Sequence, residues 1–177
     1  ELVTIGSGTG CGKSEFILSQ AAADLRSGEK VGLFMLESSA ANTAKRLAGK
    51  LADKLLHVPL EGGEVPEGLQ DAWSDLRAYD DSVFLYDHRT SMDWDEIAKS
   101  VRVMAAQGVS IFYLDNLTVM TQIGDERREI DRVLKGIITL INELHIHITL
   151  VCHLRTPSSG SHEEGHRVMS NHFNGSR

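Results

Sequence analysis

An apolar run from Leu2 to Ile5 gives way to Gly6-Ser7-Gly8-Thr9-Gly10-Cys11-Gly12-Lys13-Ser14, and a helix-like segment follows at once. Strand, glycine-rich loop and helix, in that order, are what a chain needs to wrap a polyphosphate. Glycines at 8, 10 and 12 let backbone N–H groups turn inward at φ values closed to other residues, so that several donors converge on one phosphate chain. Lys13 is spaced to reach the β- and γ-phosphates. Ser14, the first residue committed to the helix, offers its hydroxyl to Mg²⁺ beside the positive end of the helix dipole. The pattern G-x-x-x-x-G-K-S/T calls for a glycine where this chain has Ser7, with Gly6 and Gly8 on either side. We take this as a tolerated variant and expect nucleotide to be bound by Ser7, Gly8, Thr9, Gly10, Cys11, Gly12, Lys13 and Ser14.

A chain of 177 residues with 41% apolar and 24% charged residues has the size and composition of one globular domain with a substantial core. Its formal charge of −7 excludes a surface that grips nucleic acid everywhere, so any such contact is confined to a few basic loops. Cys11 and Cys152 lack metal-ligand spacing and do not indicate a disulfide scaffold. With no apolar stretch of membrane-spanning length and no signal-peptide pattern, a soluble intracellular protein without membrane contact is expected. The chain begins within a strand and ends at Phe173-Asn174-Gly175-Ser176-Arg177 without a terminal cap, so a C-terminally truncated fragment is expected too.

Beyond the loop, Ser14 to Arg26 carries Phe16, Ile17, Ala21 and Leu25 at helical spacing. Lys30 to Leu36 is almost wholly apolar, as a strand buried on both faces must be, and ends at Glu37. Helices are expected over Ala40 to Leu55, Glu67 to Tyr79, Asp93 to Gln107 and Glu129 to Leu144, with strands at Ser82 to Tyr86, Ser110 to Leu114 and Ile146 to Val151. The helix over 129–144 carries Ile130, Val133, Leu134, Ile137, Ile138 and Ile141. The alternation predicts an α/β fold: a mainly parallel sheet of at least five strands with helices on both faces. Arg155 to Arg167 is polar and aperiodic, and is read as a mobile loop.

In an open α/β sheet, ligands sit outside the carboxyl ends of the strands, and those ends supply the glycine-rich loop, Glu37, Asp115 and His153. Asp115 is placed to join Ser14 in holding Mg²⁺. Glu37 is placed to act as the base on a water attacking the γ-phosphate, and His153 to hydrogen-bond that phosphate. Lys13, Glu37 and His153 are therefore the expected catalytic groups. His145 and His147 are read as surface residues.

Taken together, Ser7 to Ser14, Gly32-Leu33-Phe34-Met35-Leu36-Glu37-Ser38, Leu114-Asp115-Asn116-Leu117, Asp125-Glu126-Arg127-Arg128, Val151-Cys152-His153-Leu154-Arg155 and His162-Glu163-Glu164-Gly165 resemble the RecA-fold helicase domain of ring-shaped replicative helicases. The likeness is to the DnaB-related phage primase-helicase and mitochondrial Twinkle type, in which a serine at the position of Ser7 is usual. The resemblance implies a RecA-like P-loop NTPase core over residues 1–177, with Glu37 as base, Asp115 as the Mg²⁺-associated acid and His153 as γ-phosphate sensor. It implies a DNA-binding loop over residues 155–167, with Arg155 and Arg167 as contacts, and a second channel loop near Gly124. The family loop is usually richer in lysine than this one. By the same resemblance the cofactors are ATP or dNTP with Mg²⁺. The partners are single-stranded DNA, further copies of the chain in a hexameric ring, and a primase domain or primase protein. The setting is a phage-infected or bacterial cytoplasm or the mitochondrial matrix. The function so implied is the motor domain of a 5'-3' replicative DNA helicase. Another RecA-fold ATPase, such as a recombinase or clock-type signalling ATPase, and a non-catalytic nucleotide- or DNA-binding module are the alternatives.

Overall fold

Every residue of Val31–Met35 is buried, which fixes this strand in the interior of a sheet covered on both faces. The computed structural model of the chain describes residues 1–8, 10–56, 67–87, 93–117 and 126–154. Their elements run β1 Leu2–Ser7, α1 Lys13–Arg26, β2 Val31–Met35, α2 Ala40–Leu51, α3 Leu69–Arg77, β3 Val83–Leu85, α4 Trp94–Ala106, β4 Ile111–Asp115, α5 Glu126–Leu144 and β5 His147–His153. The strands form one parallel sheet in the order β1-β5-β4-β2-β3. The expected five-stranded α/β architecture is present. Because β4 lies between β2 and β5, strand ends far apart in the chain become neighbours at the carboxyl edge.

The period-two alternation of side chains sorts the core into two layers. Val31, Leu33, Met35, Tyr113 and Val151 face α1, α2 and α3, where Ile17, Leu18, Leu25, Leu47 and Leu76 meet them. Phe34, Phe112, Leu114, Ile148 and Leu150 face α4 and α5 and pack against Trp94, Ile97, Val101, Val133 and Ile137. Each such side chain contributes about 1.5–3 kcal/mol through burial. The second layer is closely drawn: a Cβ added at Gly136 of α5 would stand 2.4 Å from the indole nitrogen of Trp94 on α4.

Several boundaries and faces differ from the sequence reading. Helix α2 stops at Leu51 rather than Leu55, because Asp53 takes a positive φ of 52° and Lys54 donates its N–H back to the carbonyl of Gly49 at 2.8 Å. That turn leaves Leu55 outside and buries Leu56. Helix α5 begins at Glu126, ahead of the expected Glu129. Phe16 is 53% exposed and Leu18 takes the core position on α1. Phe16 borders an open groove of about 590 Å³ with Val3, Ile5 and Tyr113. Ile138 likewise faces outward while Leu140 is buried. His145 is exposed as expected, but His147 is half-buried, its Nε2 3.0 Å from Oγ1 of Thr149.

The helix starts differ in a way that bears on the site. Ser39 caps α2 by accepting from the N–H of Asn42 at 3.2 Å, and Asp93 caps α4 by accepting from the N–H of Asp95 at 3.1 Å. Helix α1 starts after Gly12 in the left-handed region, φ 78°, and among the described residues no side chain caps it; α3 starts the same way after Gly68, φ 80°. Among the described residues no helix is long and apolar enough to cross a membrane.

Candidate functional site

The carboxyl ends of β1, β2, β4 and β5 open onto one cleft of about 250 Å³, lined by Gly10, Gly12, Lys13, Ser14, Glu15, Glu37, Arg46, Asp115 and His153. Asp115 and His153 are the last residues of β4 and β5, Glu37 lies two positions beyond β2, and Lys13, Ser14 and Glu15 open α1. Ser7, the last residue of β1, pairs in register with His153, and Met35 with Asp115, which levels the ends of four strands.

The glycine-rich loop turns through positive φ at Gly10 (79°) and Gly12 (78°), the backbone region that glycine enters without strain. Lys13 is only 8% exposed, and its ammonium donates to the carbonyl of Gly8 at 2.5 Å. With α1 uncapped by any described side chain, its first N–H groups and dipole are directed at the cleft that Lys13 and Ser14 line, an arrangement suited to phosphate. Thr9 lies outside the described residues.

Asp115 is 2% exposed and accepts a hydrogen bond from the hydroxyl of Ser14 through Oδ2. Burial raises its carboxyl above the usual aspartate value. The Ser14 hydrogen bond works against that rise, the charge of Glu37 adds to it, and His153 and Lys13 oppose it. Two hard oxygen donors side by side fit Mg²⁺, which takes few protein ligands and keeps the remaining positions for water and phosphate oxygens. Among the described residues no cluster of three or more His, Cys, Asp or Glu side chains offers a protein-only metal cage.

Two further groups support the cleft that the sequence reading did not identify as site residues, one beneath it and one on its wall. Asn116, fully buried, donates from Nδ2 to Oε1 of Glu37 at 2.7 Å, and the same nitrogen lies 2.8 Å from Nε2 of His153. The His153 nitrogen is itself 3.4 Å from Oε1 of Glu37. Strand order explains the trio: Asn116 follows β4, Glu37 follows β2 and His153 ends β5, so the amide stands between the other two. Its position after Asp115 at a strand end was the available signal. The second group is Glu15, which holds Arg46 at 2.6 Å and Lys50 at 2.7 Å, fastening α2 to the first turn of α1 and setting the Arg46 guanidinium beside the cleft. Burial on its own would raise the Glu15 carboxyl. Hydrogen bonds from Lys50 and Arg46, with their charges, outweigh that and hold it below the usual glutamate value. Nothing in local sequence pairs a residue of α1 with two on α2.

The structure thus brings Lys13, Ser14, Glu37, Asp115 and His153 together, as expected from their places in the sequence. Arg155, Arg167 and the loop near Gly124 lie outside the described residues.

The model of the DnaB-like helicase C-terminal domain family matches residues 1–170. The chain belongs to that family. A DNA helicase/primase of Enterobacteria phage T3 is 31% identical to it over 189 residues, which takes in 99% of this chain and 32% of the phage protein. Two solved structures share the fold of this DnaB-like domain at 16% sequence identity. One, an ATPase domain, superposes with a TM-score of 0.77, covering 99% of this chain and 64% of that one. The other, a DnaB-like replicative helicase determined together with its interactions with primase, gives 0.80 over 100% of this chain and 45% of that one. This DnaB-like chain therefore spans about a third of its phage relative and less than half of the second structural neighbour.

Proposed function

We infer that this DnaB-like domain is the nucleotide-hydrolysing motor of a replicative helicase that moves 5'-3' along single-stranded DNA. The observation that carries this reading is the convergence of Lys13, Ser14, Asp115, Glu37 and His153 on one cleft at the carboxyl edge of the sheet. Of the cleft's carboxylates, Asp115 is the metal-associated one and Glu15 is held by Arg46 and Lys50, which leaves Glu37 as one that a domain only binding nucleotide would have no use for.

On this reading each residue has a task. The loop amides and Lys13 hold the β- and γ-phosphates of ATP or a dNTP, and Ser14 with Asp115 would hold Mg²⁺, which when bound offsets phosphate charge. Glu37 accepts a proton from the attacking water, a role typically worth about 10²- to 10⁴-fold. His153 hydrogen-bonds the γ-phosphate and, being followed directly by Leu154 and Arg155, passes its state to the loop at 155–167. Arg155 and Arg167 contact DNA phosphates, and in a hexameric ring six copies of a weakly basic loop act on one strand. The family resemblance further assigns to a neighbouring subunit an arginine that stabilises the transition-state charge on the phosphate, and a primase domain or primase protein is the accompanying partner. The setting is a phage-infected or bacterial cytoplasm or the mitochondrial matrix, and residues 1–177 form one core.

The deciding measurement is steady-state nucleotide hydrolysis by the full-length protein with and without single-stranded DNA. Stimulation by DNA, lost in Arg155→Ala together with part of the salt dependence of DNA binding, supports the helicase reading. Hydrolysis indifferent to single-stranded DNA would point to another RecA-fold ATPase, and no hydrolysis at all to a binding module.

A further inference from the structure

We propose that Asn116 is a positioning residue for hydrolysis, orienting the Glu37 carboxylate and dictating which ring nitrogen of His153 carries the proton. The proposal rests on the reading of Glu37 as the base.

The hydrogen-bond chemistry leaves one arrangement. An ionised carboxylate only accepts, so the amide atom 2.7 Å from Oε1 of Glu37 has to be the nitrogen; the amide oxygen there would face another oxygen at contact distance. That nitrogen also lies 2.8 Å from Nε2 of His153, and an amide nitrogen has no lone pair to give. Nε2 therefore accepts, and the neutral ring carries its hydrogen on Nδ1, an atom that is buried and without a partner among the described residues. The two hydrogens of one amide group are thus shared between Glu37 and His153.

The burial of the three groups gives this arrangement its direction. The Glu37 side chain is 52% exposed, and a side chain so open to solvent otherwise samples many rotamers. Asn116 is fully buried and follows the central strand β4, so it is the fixed member and the carboxylate the one that is held. A terminal phosphate is an acceptor. For His153 to donate to it from Nε2, the ring has to move its proton to that nitrogen and release the Asn116 amide nitrogen, while the bond from that nitrogen to Glu37 remains. Phosphate at His153 and the amide at His153 exclude each other, and the exchange leaves Glu37 held as before.

The test uses full-length protein labelled with ¹⁵N-histidine, read by long-range ¹H–¹⁵N correlation without nucleotide, beside steady-state ATP hydrolysis. Wild-type His153 is expected as the Nδ1–H tautomer. In Asn116→Asp, a side chain of the same size, an accepting oxygen replaces the donor and His153 is expected as the Nε2–H tautomer. Asn116→Asp and Asn116→Ala are each expected to lose about 10²-fold in kcat with KM unchanged, the scale on which misplaced catalytic groups cost rate. An Nε2–H tautomer in the nucleotide-free wild type overturns the proposal, whether or not the variants fold. Glu37→Gln separates the two readings. An inactive Glu37→Gln beside a fully active Asn116→Ala overturns the positioning role alone, whereas an active Glu37→Gln overturns the assignment of the base.

Discussion

The hydroxyl of Ser14 donates to the carboxylate of Asp115, although 101 positions of chain separate them. The first residues of α1 and the last of β4 are thereby locked at the point where Mg²⁺ is proposed to bind. Ser14→Ala is expected to raise the Mg²⁺ concentration needed for half-maximal hydrolysis by at least the roughly 10- to 100-fold typical of losing a supporting partner at a metal site. A Mg²⁺ titration of turnover measures it, and an unchanged midpoint would remove Ser14 from the metal site.

Asp115 is a group that the fold holds at a cost. Its carboxyl is raised by burial, so the folded state binds its proton more tightly than the unfolded chain does, and stability falls as pH rises from 3.8 through the raised value. At neutral pH the charged form destabilises the domain. Asp115→Asn, which keeps an oxygen for Ser14, is therefore expected to raise the thermal midpoint without nucleotide while abolishing Mg²⁺-dependent hydrolysis. A lower midpoint would contradict this.

Glu15 carries the opposite sign. Its carboxyl is lowered in the folded state, so its pairing with Lys50 and Arg46 stabilises above the unfolded value of 4.5 and is lost as pH falls through the folded one. Urea unfolding of wild type and Glu15→Gln should differ at neutral pH and converge in acid, below the lowered value of the folded carboxyl. A gap that persists in acid would mean that Glu15 acts through packing.

Lys13→Ala and Glu37→Gln should fail differently. Loss of the ammonium removes a cation from the phosphates and abolishes hydrolysis, whereas loss of the carboxylate leaves nucleotide affinity nearly intact and ends turnover. Equal loss of affinity in both variants would make Glu37 a binding or structural residue.

Gly136→Ala tests the α4–α5 contact. Alanine is the better helix former by about 1 kcal/mol, yet overpacking a core typically costs about 1–3 kcal/mol, and the added carbon meets the nearly buried indole of Trp94. Net destabilisation in denaturant melts is expected, with Trp94→Phe relieving part of it.

What sequence could disclose and what it could not divide along a physical line. Apolar runs ending in a polar residue located Glu37, Asp115 and His153, because burial and its termination are written locally. The role of Asn116 depends on β4 lying between β2 and β5, an ordering that periodicity does not encode. The turn at Asp53 that ends α2 early and the exposure of Phe16 also depend on what packs nearby, so helical spacing alone placed both incorrectly.

Among the described residues no side chain satisfies the first N–H groups of α1, nor those of α3 behind Gly68, whereas Ser39 and Asp93 do that for α2 and α4, and only the start of α1 lines the cleft. If a phosphate takes that place, the ligand is the missing cap of the helix, and occupancy and folding are linked. At a hundred times its dissociation constant, a ligand of the folded state alone stabilises by about 2.7 kcal/mol. A hydrolysis cycle would then alternately tighten and loosen the first turn of α1, making local stability itself something that one turnover changes.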